Sequence, residues 1–587
     1  MKNELYDRVY ACWMGKNIGG TLGGPLEGRM ELMDIKGYTK TFTSAVENDD
    51  LDLQLVNLHC IEQNGGRADS RLLSREWLEH VHFEYDEYGH ALTNMRRGLS
   101  APLSGSFNNF FTDCMGSPIR SEIWAVLCAG NPDLAAYYAY QDASVDHAGG
   151  EGVYGEIFFA VLEAMAFFEK DKFVLIDKAL SYLPENSAVR GAVELLLNRF
   201  RAGDDWVTAR QAILDAYGQD NFTYAPVNIA FTLVGWLYKE GFTEQMLTTV
   251  DCGYDTDCTV ATLGSLLGIL YGSTYIDEMW TKPLGENIIT SKPIWGFDAP
   301  KTIGELTDRT LRARELIQTL YEHTADKSVY EIPYLSDAEE YRLPLGSVEN
   351  HDLIVRVKRC PVFAPGEMKE MTVTLVNPKA MSQSVELIPH ADGFDCEGAS
   401  VTLEAGETKD VSLTMTAPCE NLMLTHGTLE VSRVNEGVYW MSENLPLTVW
   451  GSMDWLYEAD GESDILHLTE NRIGAEYLPK AQNTLAFETT LTLFDEGRAT
   501  LKLACENPVK VILDGETIID CPDKTIVIPA YHRADKRKCA ALPEGPGEHT
   551  LRIEVGNPET FKELYFMVVT PDLHWAYRLD STFTVEE

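Results

Sequence analysis

The chain has 587 residues, 45% hydrophobic and 24% charged, which places it among folded proteins with more than one core and apart from disordered or fibrous chains. Its formal net charge of −43 opposes nucleic-acid and anionic-membrane binding by long-range repulsion and favours cationic cofactors. No run of about 20 apolar residues is long enough to span a membrane and no secretory signal is legible. The 12 scattered cysteines contain no Cys-x-x-Cys pair, so a cytoplasmic protein with free thiols is expected rather than a disulfide framework or a zinc site.

In chain order, the first expected helix carries glycine at 15, 19 and 23, a four-residue spacing that reserves one face for the close approach of another backbone. Asn48-Asp49-Asp50-Leu51-Asp52 precedes an apolar helix. The segment 101–109 interrupts the helices and is expected to line a cleft or to form ordinary turns. Apolar residues recur at helical spacing through 157–168 and 195–200, so residues 1–324 form a compact all-α domain in this reading. Near its end, Gly253-Tyr254-Asp255-Thr256-Asp257-Cys258 sets two carboxylates at the mouth of a helix expected from about Thr259 to Tyr271, faced by Gly264, Gly268 and Gly272.

Aspartate is a favoured helix cap, and capping alone explains either acidic cluster taken singly. Taken together, carboxylates from two helix N-termini repel one another and raise each other's pKa unless a cation sits between them. Oxygen ligands of this kind suit a pair of hard divalent metals.

Residues 325–346 form a connector rich in charge and proline. Beyond it, alternation through 353–357, 371–376 and 411–415, with turns at Pro365-Gly366, Asn377-Pro378 and Ala405-Gly406, predicts an immunoglobulin-like β-sandwich over 347–450. The segment 451–587 is predicted to be a β jelly-roll-like domain, with a hairpin at Asp514-Gly515. Tyr531, His532 and Arg533 within it suit packing ahead of sugar contact.

Four segments in this order resemble the ADP-ribosylglycohydrolase family, which includes the dinitrogenase reductase-activating glycohydrolases. They are the Gly-rich first helix ending in Glu27, the Asp49-Asp50 pair, Gly116-Ser117-Pro118-Ile119-Arg120, and Gly253-Tyr254-Asp255-Thr256-Asp257. Ser144-Val145-Asp146-His147 is similar to a shorter family segment, hydroxyl-x-x-His. The resemblance covers about residues 1–325 and implies an all-α glycohydrolase domain followed here by two all-β domains.

It further implies that Asn48, Asp49, Asp50, Asp255, Asp257 and Cys258 hold Mg2+ or Mn2+, as a binuclear or a single site. Glu27 and Asp257 are the implied catalytic residues, Glu27 as a general base or a carboxylate that positions water. Gly116, Ser117, Arg120 and His147 are the implied substrate contacts, with a structural salt bridge for Arg120 and a core position for His147 as alternatives. The chain departs from the family where Asn48 and Cys258 replace threonines and Gly20 replaces an aspartate. A thiol suits magnesium poorly, so a weakened or single-metal site, a tolerance for Mn2+ and an altered substrate are expected.

The leading function is cleavage of an ADP-ribosyl or related ribosyl/furanosyl linkage. The alternatives are a hydrolase of a carbohydrate or nucleoside lacking ADP, and a catalytically silent ligand-binding homologue. A homo-oligomer is preferred, because symmetric dimers are the commonest assembly.

Overall fold

The computed structural model describes residues 2–324, 327–330, 332, 341–347, 350–357, 362–419, 424–435, 438–494, 497–571 and 577–580. Much of the expected connector 325–346 therefore lies outside the described residues. The chain divides into two compact units: residues 1–83 with 100–338, and residues 84–99 with 339–587.

The first unit is helical, and its centre is a pair of long helices, Lys2–Gly23 and Thr256–Tyr271, packed along their length. Glycine permits that approach. A Cβ on Gly15, Gly19 or Gly23 would strike the Gly264 carbonyl, the Ala261 Cα or the Thr256 carbonyl, and Gly264 and Gly268 meet the Gly15 and Ala11 backbones in return. Gly272 departs from the expected face: it ends the second helix at φ +77°, a conformation that favours glycine. Val153–Ala166 and Ala225–Leu237, from the Glu151–Ala166 and Ala225–Tyr238 helices, are almost wholly buried around this pair. Because the Gly19 contact is backbone against backbone, Gly19→Val has no side chain to push aside. It should cost about 3 kcal/mol or more; a urea unfolding midpoint equal to the parent's would refute the packing.

Two local expectations shift. The Thr256–Tyr271 helix starts at Thr256 instead of Thr259, because Asp255, at φ −90° and ψ 76°, already stands outside it as the N-cap. The segment 101–109 is largely core: Ser104 Oγ donates to the Val145 carbonyl at 2.8 Å, and Asn109 Nδ2 donates to the Asp146 carbonyl at 2.6 Å. The described cysteines are free thiols, and among the described residues no helix is long and apolar enough to cross a membrane.

The second unit is β-rich. Asn350–Val357, Met368–Val376 and Thr408–Thr416 lie side by side and antiparallel in one five-stranded sheet, while Gln383–Ala391, Leu424–Asn435 and Val438–Gly451 belong to another. Along Met368–Val376 burial alternates from residue 371 onward, as a strand with one face in a core requires. Further on, a seven-stranded sheet and a four-stranded sheet share a core in which Trp455 meets Phe566 edge to face at 5.2 Å. Val509–Leu513 and Glu516–Cys521 form the expected hairpin, with Asp514 at φ +48° and Gly515 at φ +84°.

This unit also includes a helix from the N-terminal half of the sequence, Asp86–Arg96. The loop 528–533 receives it. Tyr531 packs over Gly89, His90 Nε2 donates to the Pro529 carbonyl at 2.9 Å, and Arg533 forks onto Asp86. Tyr531 and Arg533 are thus packing residues, and burial of His90 lowers its pKa to about 4.

Candidate functional site

The site forms where the paired glycine-faced helices meet the start of a third. Asn48 caps the Asp49–Gln63 helix, its Oδ1 accepting from Asp50 N at 2.7 Å, so that Asp50 points inward with no exposure. At the other helix mouth the chain turns through Gly253 at φ +73° and Tyr254 at φ +69°. Tyr254 N donates to the Arg29 carbonyl at 2.7 Å, Gly28 N donates to the Tyr254 carbonyl at 3.0 Å, and Asp255 N donates to Asn228 Oδ1 at 3.1 Å. These bonds bring the loop after the first helix, and Glu27 with it, onto the second acidic cluster.

The result is two overlapping groups of ligand-type atoms. Those of Glu27, Asp255 and Asp257 lie within 4.8 Å of one another, as do those of Asp50, Asp257 and Cys258, so Asp257 belongs to both. Asp255 and Asp257 are buried, Asp49 is half-buried and Glu27 is exposed. The Cys258 thiol donates to Asp50 Oδ1 at 3.5 Å and Asp50 Oδ2 faces the Lys16 ammonium at 3.5 Å without a hydrogen bond, whereas Asp257 Oδ1 is buried with no hydrogen-bond partner. Buried carboxylate oxygens left in this state are costly unless a cation meets them, and this donor set fits a hard divalent ion.

Electrostatics point the same way. Burial, and then the charges of Asp257 and Glu27, push Asp255 well above the ordinary carboxylate range; burial, Glu27 and Asp49 raise Asp257 to about 8. Asp50 is raised chiefly by burial, against the opposing pull of Lys16. Burial followed by Asp255 and Asp50 keeps Cys258 a thiol. Lys16 supplies a single positive charge to this region, 2.8 Å from Glu122 and 3.5 Å from Asp50.

A family model described as ADP-ribosylglycohydrolase matches residues 1–319, more than half of the chain. The chain belongs to the ADP-ribosylglycohydrolase family. Among solved structures it is similar to an "ADP-ribosylglycohydrolase-related protein complex", at 20% identity over 54% of this chain and 99% of that one, with a TM-score of 0.38. An anti-sigma factor domain-containing protein from Clostridium clariflavum matches at 9% identity over 41% of this chain and 88% of the other, with a TM-score of 0.16. An α-L-rhamnosidase from Aspergillus terreus matches at 12% identity over 36% and 26%, with a TM-score of 0.15. No curated protein matches the chain.

Within this ADP-ribosylglycohydrolase-family unit, the expected substrate contacts lie in the interior. Arg120 has no exposure: Nε donates to Asp142 Oδ2 at 3.0 Å, Nη1 to the Gly116 carbonyl at 2.7 Å, and Nη1 and Nη2 to Asp146 at 2.8 Å each. Its fork is filled by protein acids, the arrangement of the salt-bridge alternative. Arg120 and then His147 outweigh the burial that would raise Asp146 and hold it at about 2. His147 is equally buried, with Nδ1 3.0 Å from Asp146 Oδ1, and Gly116 and Ser117 lie in the same interior.

Lys16, Gln54 and Glu122 were not anticipated. Lys16 Nζ donates to the Ile119 carbonyl at 2.9 Å, and Gln54 Nε2 donates to the Asp50 carbonyl and to Glu122 Oε2 at 2.8 Å, tying the 116–120 segment to Asp50. A lysine inside a helix of glycines and apolar residues was the available signal. Gly20 and Asn48 are coupled as well, because a Cβ at Gly20 would collide with Asn48 Nδ2.

These protonation states have a consequence for stability. Asp257 binds its proton up to about pH 8 when folded but only to about 3.8 in its ordinary state. Between those values Asp257 holds its proton in the metal-free folded chain and not in the unfolded one, so its contribution to stability falls as pH rises. A divalent cation competes for the same oxygens. The gain in melting temperature on adding Mn2+ should therefore be larger at high pH than at low pH across this window. Calorimetry showing an equal gain throughout would count against the shared site.

Proposed function

We propose that this chain is a Mg2+- or Mn2+-dependent glycoside hydrolase that cleaves an ADP-ribosyl or related ribosyl/furanosyl linkage. The observation that carries the reading is the convergence of Glu27, Asp255 and Asp257 with Asp50 at the mouths of helices locked together by glycine. Asp49, Asp50, Asp255 and Asp257 are the proposed cation ligands, with the second lone pair of the Asn48 carbonyl oxygen available beside its capping bond. When bound, the cation supplies Lewis acidity toward neighbouring sugar hydroxyls.

The chain's own groups supply the rest. Glu27 is the exposed member of the cluster and takes a proton from the attacking water, on the face of the sugar opposite the departing group. Asp257, shared by both ligand groups, fixes the cation relative to Glu27. Gln54 links the Asp50 carbonyl to the carbonyl of Ile119, the neighbour of Arg120 in the buried Arg120–Asp142–Asp146 network.

A sugar or nucleoside lacking ADP is the second reading, favoured by Gly20, Asn48 and Cys258 standing where the family pattern differs. Release of ADP-ribose from ADP-ribosylated protein, compared with turnover of free ADP-ribose derivatives, nucleosides and furanosides, separates the readings. ADP-ribose release supports the first, turnover confined to ADP-free substrates supports the second, and inert behaviour toward all of them with metal bound contradicts both.

The replacements at 48 and 258 carry their own expectation. Threonine is also a good N-cap, so Asn48→Thr with Cys258→Thr keeps the helix start while adding hard hydroxyl oxygens. Mg2+ affinity should rise about tenfold. Calorimetric titration giving equal or weaker Mg2+ binding would show that the thiol does not limit the site.

A further inference from the structure

Away from the acidic cluster, His59, Glu76 and His80 bring ligand-type atoms within 4.8 Å of one another. His59 stands on the Asp49–Gln63 helix, nine residues beyond Asp50 and so about 14 Å along its axis. Glu76 and His80 stand one turn apart on one face of the Ser70–His80 helix. His59 Nδ1 is 2.7 Å from Glu76 Oε2, and His80 Nε2 is 3.4 Å from the same oxygen.

The second ring nitrogen of His80 decides the chemistry. His80 Nδ1 is 3.0 Å from the Trp295 carbonyl, which can only accept, so Nδ1 carries the hydrogen. In the neutral ring Nε2 is then a bare lone pair. It is buried, makes no hydrogen bond, and faces a carboxylate oxygen. Two acceptors facing each other are repulsive unless a proton or a cation lies between them. A ring whose outer N–H is pinned by a backbone carbonyl, leaving the inner nitrogen as a lone pair, is the usual state of a metal-binding histidine, and here a carboxylate stands beside that lone pair as a second ligand.

Spacing and softness favour a transition metal over magnesium. A tetrahedral zinc site sets its ligand atoms about 3.3 Å apart, between the 2.7 and 3.4 Å seen here. Imidazole with one carboxylate suits zinc-class ions, and the exposed Glu79, with Oε2 4.0 Å from His80 Nε2, is in reach as a further ligand. Phe297 packs on both rings at 5.0 and 5.1 Å and keeps the pair dry on that side.

We propose that His59, Glu76 and His80 form a second metal site, for a zinc-class transition ion, which clips two helices and the Trp295–Phe297 segment together. The site is independent of the acidic cluster and of the hydrolase reading. The test is titration of the full chain with Co2+, whose four-coordinate, nitrogen-ligated form absorbs far more strongly in the visible than its six-coordinate oxygen-ligated form. An intense band is expected that Asp257→Asn leaves in place and that His59→Ala and His80→Ala each weaken about 100-fold in affinity. His59 is partly exposed, so if His80→Ala does not fold, His59→Ala carries the test alone. Absence of the band at saturating Co2+, or a band unchanged by His59→Ala, would overturn the proposal.

Discussion

Asp257→Asn should abolish hydrolysis and the binding of Mg2+ or Mn2+ at the acidic cluster together, with a loss of turnover of about a thousandfold or more, while raising the melting temperature of the metal-free protein. The first effect follows from position: Asp257 is the carboxylate shared by both ligand groups, so its loss empties both. The second follows from charge. In the metal-free chain, burial with Glu27 and Asp49 beside it raises the Asp257 pKa to about 8, which means the ionised form is resisted by its surroundings. The amide keeps the shape and removes the repulsion. Inactivation with a raised metal-free melting temperature separates a ligand from a structural residue; inactivation with a lowered one would mean that the fold needed the charge.

Lys16→Met should have the opposite effect on stability. Lys16 is fully buried, and although burial alone would lower its pKa, Glu122 and Asp50 outweigh it and keep the ammonium charged. Removing it leaves Glu122 and Asp50 facing each other inside the core, which should cost about 3–5 kcal/mol. Urea titration reads the loss directly. A divalent ion should restore part of it, since a cation bound by Asp50 supplies some of the missing charge. Unchanged stability without metal would show that the two acids are protonated in the parent and that Lys16 is a spectator.

What the sequence disclosed was local chemistry. Gly15, Gly19 and Gly264 announced a close helix pair because a four-residue glycine spacing has few other uses, and Asp514-Gly515 announced its hairpin because that pair accepts positive φ. The acidic clusters were visible as caps, and their convergence on a cation was implied by the family resemblance, since gathered carboxylates repel one another without one. Burial was not visible. Arg120 and His147 carry side chains that suit a substrate phosphate, and only the packing of Asp142 and Asp146 around them reveals a buried ion-pair network. Long-range partners were hidden for the same reason: the Lys16–Glu122 bond joins residues 106 apart, and Asp86 meets Arg533 across 447 positions. Helical periodicity, clear through 157–168 and 195–200, carries no record that the Asp86–Arg96 helix would join the second unit.

If the two acidic helix mouths form one cation site, a bound ion lies between them. Anomalous diffraction from crystals of the full chain soaked in Mn2+ tests it most directly. The account expects one or two manganese peaks within ligand distance of Asp50, Asp255 and Asp257, with Glu27 alongside. Well-ordered density for those carboxylates at saturating Mn2+, with no peak among them, would contradict it.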